Sequence, residues 1–530
     1  MVVSAARSPI GQDPVSTSRD VSDIADVKSE VNRFLYQHWN DAGVAPSPAS
    51  DDLQVLRRLS LSLHGTVPSL EEIRQFEADT KPDRIDRWVT RLLSDQRFGD
   101  YFAQRLARAY VGNEEGQFIL FRRDQFTRWL SSELMANRPY NEMVTEILTR
   151  EGLWTGAPAT NFATAAIAND DLDENKLTAR TVRAFLGQRI DCAQCHDDFF
   201  GDWKQTDFEG LAAFYGQTTF SVFGIGDREM ENGKPREYTI FDPGTEPEEG
   251  ETVEGRVVAP NVPFHPEWVP KDGSRRQKLA TWITHSENRR FERAAVNRIW
   301  GLVFGRPWFD PVDGLPDPPR DESEYDVLDL LGRDFREHNY DVHRLIRAIV
   351  ASKAFRVASQ SDFDERDEYN LAEGTWAVFP LIRLRPDQVI GSMLQSKFIK
   401  TIDRNSHPFV RIQRFFGEVN FIEEYGDASD EELTEAASTI QQALLRMNGE
   451  ITQEISTGPP FSSVAQIVGL SKNNEQLVEN CFLVCLTRRP NPEQLAHFVK
   501  QLEAPDADRV PIVQDMFWSL LNAPEFSWNH

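Results

Sequence analysis

The sequence predicts a mainly α-helical protein: two helical domains with a small β-hairpin or irregular insert between them. Three observations carry that expectation. Apolar residues recur at helical spacing through most of the chain, short capping signatures mark helix starts, and β-prone runs are confined to one window, 217–270. At 530 residues the chain also exceeds what one core usually organises. The expected boundaries are a disordered N-terminal stub at 1–20, a helical domain at 21–225, a connecting region at 226–270 and a second helical domain at 271–530.

The opening MVVSAARSPIGQDPVSTSRD has no charged start followed by an apolar run, so it is not an intact signal peptide. It reads as a stub left by a trimmed leader, or as the start of a chain made without export. Ser69 followed by Glu72 is a capping box ahead of an apolar-periodic run. Ile85, Trp88, Val89, Leu92 and Leu93 then define the next helix. Further amphipathic runs lie at 97–111, 124–136, 141–149, 177–189 and 206–215, the last with Thr206 and Glu209 as its expected box.

In the insert, Thr218 to Phe223, Glu237 to Phe241 and Val253 to Val258 are short β-prone runs separated by Gly, Pro and an acidic stretch. Helical spacing resumes at 276–285 and 291–304. The segment from Gly305 to Arg320 carries Pro307, Pro311, Pro316, Pro318 and Pro319, which favour extended backbone. Helices are expected again at 324–337, 341–351, 432–447, 475–488, 491–502 and 510–522.

Charge narrows the partners. The chain has 58 Lys plus Arg against 84 Asp plus Glu, a net charge of -26, which repels phosphate backbones, so nucleic acid is not an expected partner. Local basic runs read as solvated helix faces. No run reaches the roughly eighteen apolar residues a spanning helix needs, so the chain is not expected to cross a membrane.

The chemistry concentrates in Asp191-Cys-Ala-Gln-Cys-His-Asp-Asp198, which holds two of the 4 cysteines. C-x-x-C-H is the attachment signature of c-type haem. Cys192 and Cys195 would each form a thioether to the porphyrin, and His196 would bind iron as its axial ligand. Two other readings stay open. Zinc or iron could take Cys192, Cys195, His196 and a carboxylate, Asp197 or Asp198, and the motif could instead be a disulfide or structural staple on a scaffold. For the other side of a haem iron, His64 and Met230 are candidates, with His265 beside them. Cys481 and Cys485, spaced i, i+4 in an apolar helical run, read as small buried hydrophobes.

Asn297, Arg298, Asp310 and Asp313 form the most motif-like part of the second half. They read either as a polar cluster lining an interdomain cleft or as a buried Arg298–Asp313 ion pair that fixes the Pro-rich loop.

Longer blocks carry a resemblance. Leu56 to Ser69, Arg87-Trp88-Val89, Arg97 to Asp100, Phe185-Leu-Gly, Asp191 to Asp198 and Asp202 to Phe208 resemble the first of two linked domains of unknown function. These domains are found in secreted planctomycete cytochrome-associated proteins and their relatives in other bacteria. Arg293 to Trp300, Phe304-Gly-Arg, Asp310 to Leu315, Asp341 to Arg347, Arg383 to Val389 and Leu521 to Phe526 resemble the second. The resemblance implies export to the periplasm or beyond, and an association with a redox partner or an exported polysaccharide-degrading system. The resemblance implies no settled reaction; the expectation of a haem c protein in electron transfer or oxidoreduction comes from the motif, with which an exported location agrees. Relatives commonly read Asp-His-Pro-Phe or Asn-His-Pro-Phe after the motif histidine, whereas this chain reads Asp197-Asp198-Phe199-Phe200. Asp198 therefore stands where those relatives carry a second histidine.

Overall fold

The computed structural model describes residues 24–112, 123–168, 171–199, 201–227, 236–241, 255–360, 365–406, 433 and 440–530. The expected stub at 1–20 and Met230 lie outside the described residues, and the helix expected at 432–447 is described from Ile440.

The chain is mainly α, as the apolar spacing predicts. The first half contributes α1 (Ala25–Asp41), α2 (Asp52–His64), α3 (Leu70–Ala78), α4 (Arg84–Leu93), α5 (Gln96–Val111), α6 (Arg123–Met135), α7 (Tyr140–Thr149), the single turn α8 (Asn161–Thr164), α9 (Glu174–Leu186) and α10 (Gln205–Ala212). The second half contributes α11 (Arg275–Ile283), α12 (Arg289–Phe304), α13 (Val327–Glu337), α14 (Val342–Ala351), α15 (Lys353–Arg356), α16 (Arg366–Gly374) and α17 (Pro386–Ser396). It ends with α18 (Ile440–Asn448), α19 (Glu450–Thr457), α20 (Ser463–Leu470), α21 (Asn474–Leu486), α22 (Pro492–Leu502) and α23 (Arg509–Asn522).

Strands occur among the described residues only as antiparallel pairs. These are β1 (Ile167–Ala168) with β2 (Asp171–Leu172), β3 (Thr218–Ser221) with β4 (Gly224–Asp227), β5 (Thr239–Ile240) with β6 (Arg256–Val257), and β7 (Ile382–Arg383) with β8 (Trp528–Asn529). The β3–β4 hairpin pairs Thr218 with Asp227 and Ser221 with Gly224. Its tip leaves Val222 and Phe223 exposed.

Local chemistry sets the helix starts. The Ser69 N–H donates to Glu72 Oε2 at 2.9 Å and the Glu72 N–H to Ser69 Oγ at 3.0 Å, completing the expected capping box. The box expected at Thr206 and Glu209 does not form. The Lys204 N–H donates instead to Asp207 Oδ2 at 3.0 Å, and Glu209 turns away to accept from Arg256 Nη2 at 2.7 Å. A buried carboxylate gains more from that guanidinium than from a local amide.

Burial does not follow chain order. One apolar core runs from Ile24 through Phe379 and takes in Leu433 and Leu483, so helices from both halves share it. α9 packs on α12, α1 on α13, and α4 on α14. A second core gathers residues from Leu384 to Phe526 around Leu61 and Val67 of the first half. α2 lies between the two and is buried along nearly its whole length. Its charges are satisfied far away: Arg57 donates to the carbonyls of Cys485 and Phe526, and Arg58 to those of Phe355, Val357 and His530. No described helix is long and apolar enough to cross a membrane.

Candidate functional site

The C-x-x-C-H residues occupy the connection between α9 and α10. Helix α9 ends at Gly187, whose φ of 66° continues the chain in a left-handed turn. Ile190 and Ala193 are fully buried and root the next segment, and the Ala193 N–H donates to the Ile190 carbonyl at 3.0 Å. Residues Asp191–Gln194 form one 3-10 turn. Cys192 lies within the turn and Cys195 is its C-cap, the Cys195 N–H donating to the Cys192 carbonyl at 3.3 Å. Both thiols are exposed and unbridged.

His196 follows directly, held by an N–H contact to the Cys192 carbonyl at 3.4 Å. Its Nδ1 lies 2.8 Å from the Asp197 carbonyl. A carbonyl only accepts, so Nδ1 carries the hydrogen and the Nε2 lone pair is left to bind a metal. The exposed ring of Phe199 stands edge-on to the imidazole, centroids 5.6 Å apart.

The downstream side is tied to the first half's own helix. Asp197 Oδ1 accepts the N–H of Gln205, the first residue of α10, at 2.9 Å, and the Asp198 N–H donates to the Trp203 carbonyl at 2.8 Å. Asp197 is therefore a helix cap in this arrangement.

The upstream side is tied to the second half. The Leu315 N–H donates to the Gly187 carbonyl at 2.9 Å, Gln188 Nε2 donates to the Leu315 carbonyl at 3.1 Å, and Gln188 bridges to Gly314. Arg189 Nε donates to Asp313 Oδ2 at 2.7 Å. Arg183, on the last turn of α9, reaches the same carboxylate at 3.5 Å and donates to Asp191 at 2.9 Å.

The expected Arg298–Asp313 pair is replaced. Arg298, buried on α12, donates to the carbonyls of Ala184 and Arg183 at 2.6 and 3.2 Å. It faces the end of α9, where the last carbonyls have no intrahelical partner. Asp313 is thereby left to the two arginines beside the motif. Asn297 fixes the Pro-rich loop, its Oδ1 accepting the Phe309 N–H and its Nδ2 donating to the Phe309 carbonyl, each at 2.9 Å. Asp310 is exposed and precedes a cis Pro311. The sequence reading missed Arg183, Gln188 and Arg189. Their signal, polar residues crowded just before the motif, was present but had no partner in view.

These residues suit thioether attachment and axial ligation by imidazole: two accessible thiols three positions apart and an adjacent ring with Nε2 available. Among the described residues, no three His, Cys, Asp or Glu side chains converge to hold a metal ion by themselves. His64 is buried at the end of α2, its Nε2–H donating to the Leu92 carbonyl at 3.0 Å beside Arg97 and Glu72. Burial, reinforced by the Arg97 charge, lowers its pKa to about 4. His265 lies apart as well, stacked on Trp268 with centroids 4.0 Å apart. Cys481 and Cys485 are fully buried in α21, and burial raises both thiol pKa values.

A separate cleft of about 500 Å³ lies between α1, the start of α4 and α15. Of its lining carboxylates, Asp52 pairs with Arg84, Asp86 with Arg356 and Asp79 with Arg87. It shares no residue with the motif.

Residues 30–220 match a family model described as PSCyt2, a protein of unknown function (DUF1549), and residues 275–411 match one described as PSD1, a protein of unknown function (DUF1553). Neither a curated protein nor a solved structure matches the chain.

Proposed function

Since the chain belongs to the proteins that join a PSCyt2 domain to a PSD1 domain in that order, we propose that it is an exported c-type haem protein acting in electron transfer or as an oxidoreductase. The observation that carries this reading is the turn itself. Cys192, in a 3-10 turn, and Cys195, at its C-cap, are free, exposed thiols, and His196 keeps Nε2 available because Nδ1–H is bound to the Asp197 carbonyl.

In this reading Cys192 and Cys195 would hold the porphyrin through thioethers and His196 would bind its iron. The attached group supplies a one-electron iron couple. The protein's part is to hold the ring angle of His196, through Asp197 on one side and the rooted Ile190 and Ala193 on the other. Haem c is attached outside the cytoplasm, which places the mature protein in the periplasm or beyond. Its partner is a redox protein or an exported polysaccharide-degrading system, the latter on the resemblance of the chain.

The test is production in a host with active haem c attachment machinery, checked by a control cytochrome. One added haem in the intact mass, with a Soret band lost in C192S/C195S, is the expected result. An unmodified mass beside a fully loaded control overturns the proposal. Stoichiometric zinc or iron in that unmodified protein would move the assignment to a Cys192, Cys195, His196 site completed by Asp197 or Asp198.

A further inference from the structure

The α9–α10 connection carries the motif of the first domain, yet its entry is tied to the second. From Gly187 to Arg189, every residue contacts the segment Asp313 to Leu315: backbone to backbone at Gly187, side chain to backbone at Gln188, and ion pair at Arg189. The Asp313 side chain is only 7% exposed, whereas Arg189 and Arg183 are 45% and 43% exposed. A buried carboxylate between two half-exposed guanidiniums is a fixed post on which mobile groups settle. Arg183 also holds Asp191, the first residue of the 3-10 turn, so one arginine joins the post to the motif.

We infer that Asp313 of the second domain is a positioning residue for the Cys192–His196 turn, acting through Arg189 and Arg183 to set the orientation of the thiols and imidazole. The exit from the turn is secured independently by Asp197 and Trp203, within the first domain. Loss of the post therefore frees only the upstream half of the loop. This gives the second domain a defined task toward the first. Its meaning for redox chemistry rests on the haem reading above, but the positional coupling does not.

Two arms keep these apart. In the full chain made without haem attachment, hydrogen exchange is followed at residues 190–196 and in α10. Asp313→Asn and Arg189→Gln should each speed exchange at 190–193 by about tenfold or more while α10 stays protected. The two variants change charge in opposite directions, so a shared effect identifies position rather than field. Asp313→Glu should restore much of the protection. In haem-loaded protein both variants should displace the midpoint potential in the same direction, where charge alone would displace it in opposite ones. Exchange unchanged in both variants overturns the inference. If Asp313→Asn does not fold, Arg189→Gln, at a half-exposed side chain, decides alone. If the wild type never takes up haem, the functional proposal fails and the exchange arm still judges the latch.

Discussion

Arg298 holds the end of the helix that leads into the motif: its guanidinium donates to the carbonyl of Ala184 at 2.6 Å and, one residue back, to that of Arg183 at 3.2 Å. The side chain is buried between the two halves, so its removal leaves two carbonyls without a partner and a void where the fork stood. Arg298→Ala is expected to cost about 3 kcal/mol in denaturant unfolding. Arg298→Lys should recover only part, because an ammonium cannot span both carbonyls with a planar fork.

Asp197 is expected to behave as a cap. Asp197→Ala removes the acceptor for the Gln205 N–H and should cost about 1 kcal/mol, whereas Asp197→Asn keeps an oxygen there and should cost a few tenths at most. Chemical denaturation of the pair measures both. An Asn variant as damaging as Ala would mean that the charge, not the cap, is what the site uses.

Two buried groups give opposing pH dependences. His64 has its pKa lowered by burial to about 4 from 6.5, so between those values the unfolded chain binds a proton that the folded state refuses. Stability from this group is complete above pH 6.5 and is lost as pH falls. Glu292 is raised to about 7 from 4.5, because burial outweighs its contact with Arg336. Between those values the folded state keeps a proton the unfolded chain has released, so stability falls as pH rises. Each swing amounts to roughly 3 kcal/mol. Across pH 4.5–6.5 they largely offset one another. His64→Gln should therefore uncover a stability that declines with pH through this window, and Glu292→Gln one that increases, in urea melts at stepped pH.

Gly187 has no room for a side chain. Beyond the strain of φ 66°, an added Cβ would lie 2.7 Å from Leu315 Cδ1 and 3.1 Å from the Ala294 Cβ. Gly187→Ala is expected to cost about 2 kcal/mol or more. Combining it with Leu315→Ala should cost less than the two single changes added together, since each relieves the other's crowding.

The helices were legible because their evidence is local. The stripe Ile85, Trp88, Val89, Leu92, Leu93 buries Trp88 and the last three in α4, and the Ser69 and Glu72 box forms at its expected place. What failed to be legible depended on residues distant in sequence. Glu209 looks like a capping partner until Arg256 is folded beside it, and Arg298 looks like the natural mate of Asp313 until the end of α9 presents bare carbonyls to it. The motif residues could be named from spacing alone. Their support from residues 313–315 could not, because no periodic pattern records which loop meets which helix end.

The two arginines of α2 put the molecule on a clock. Arg58 is 472 residues ahead of its most distant acceptor, the carbonyl of His530, and Arg57 is 469 ahead of that of Phe526. At ordinary rates of synthesis roughly half a minute or more separates their emergence from that of those partners. Through that interval Arg58 can reach only its nearer acceptors, the carbonyls of Phe355 and Val357, and Arg57 lacks both of its own, Cys485 and Phe526, until the late segment has been made. The second core, which draws Leu61 and Val67 of the early half in among residues from Leu384 to Phe526, is therefore closed only after those late residues have been made.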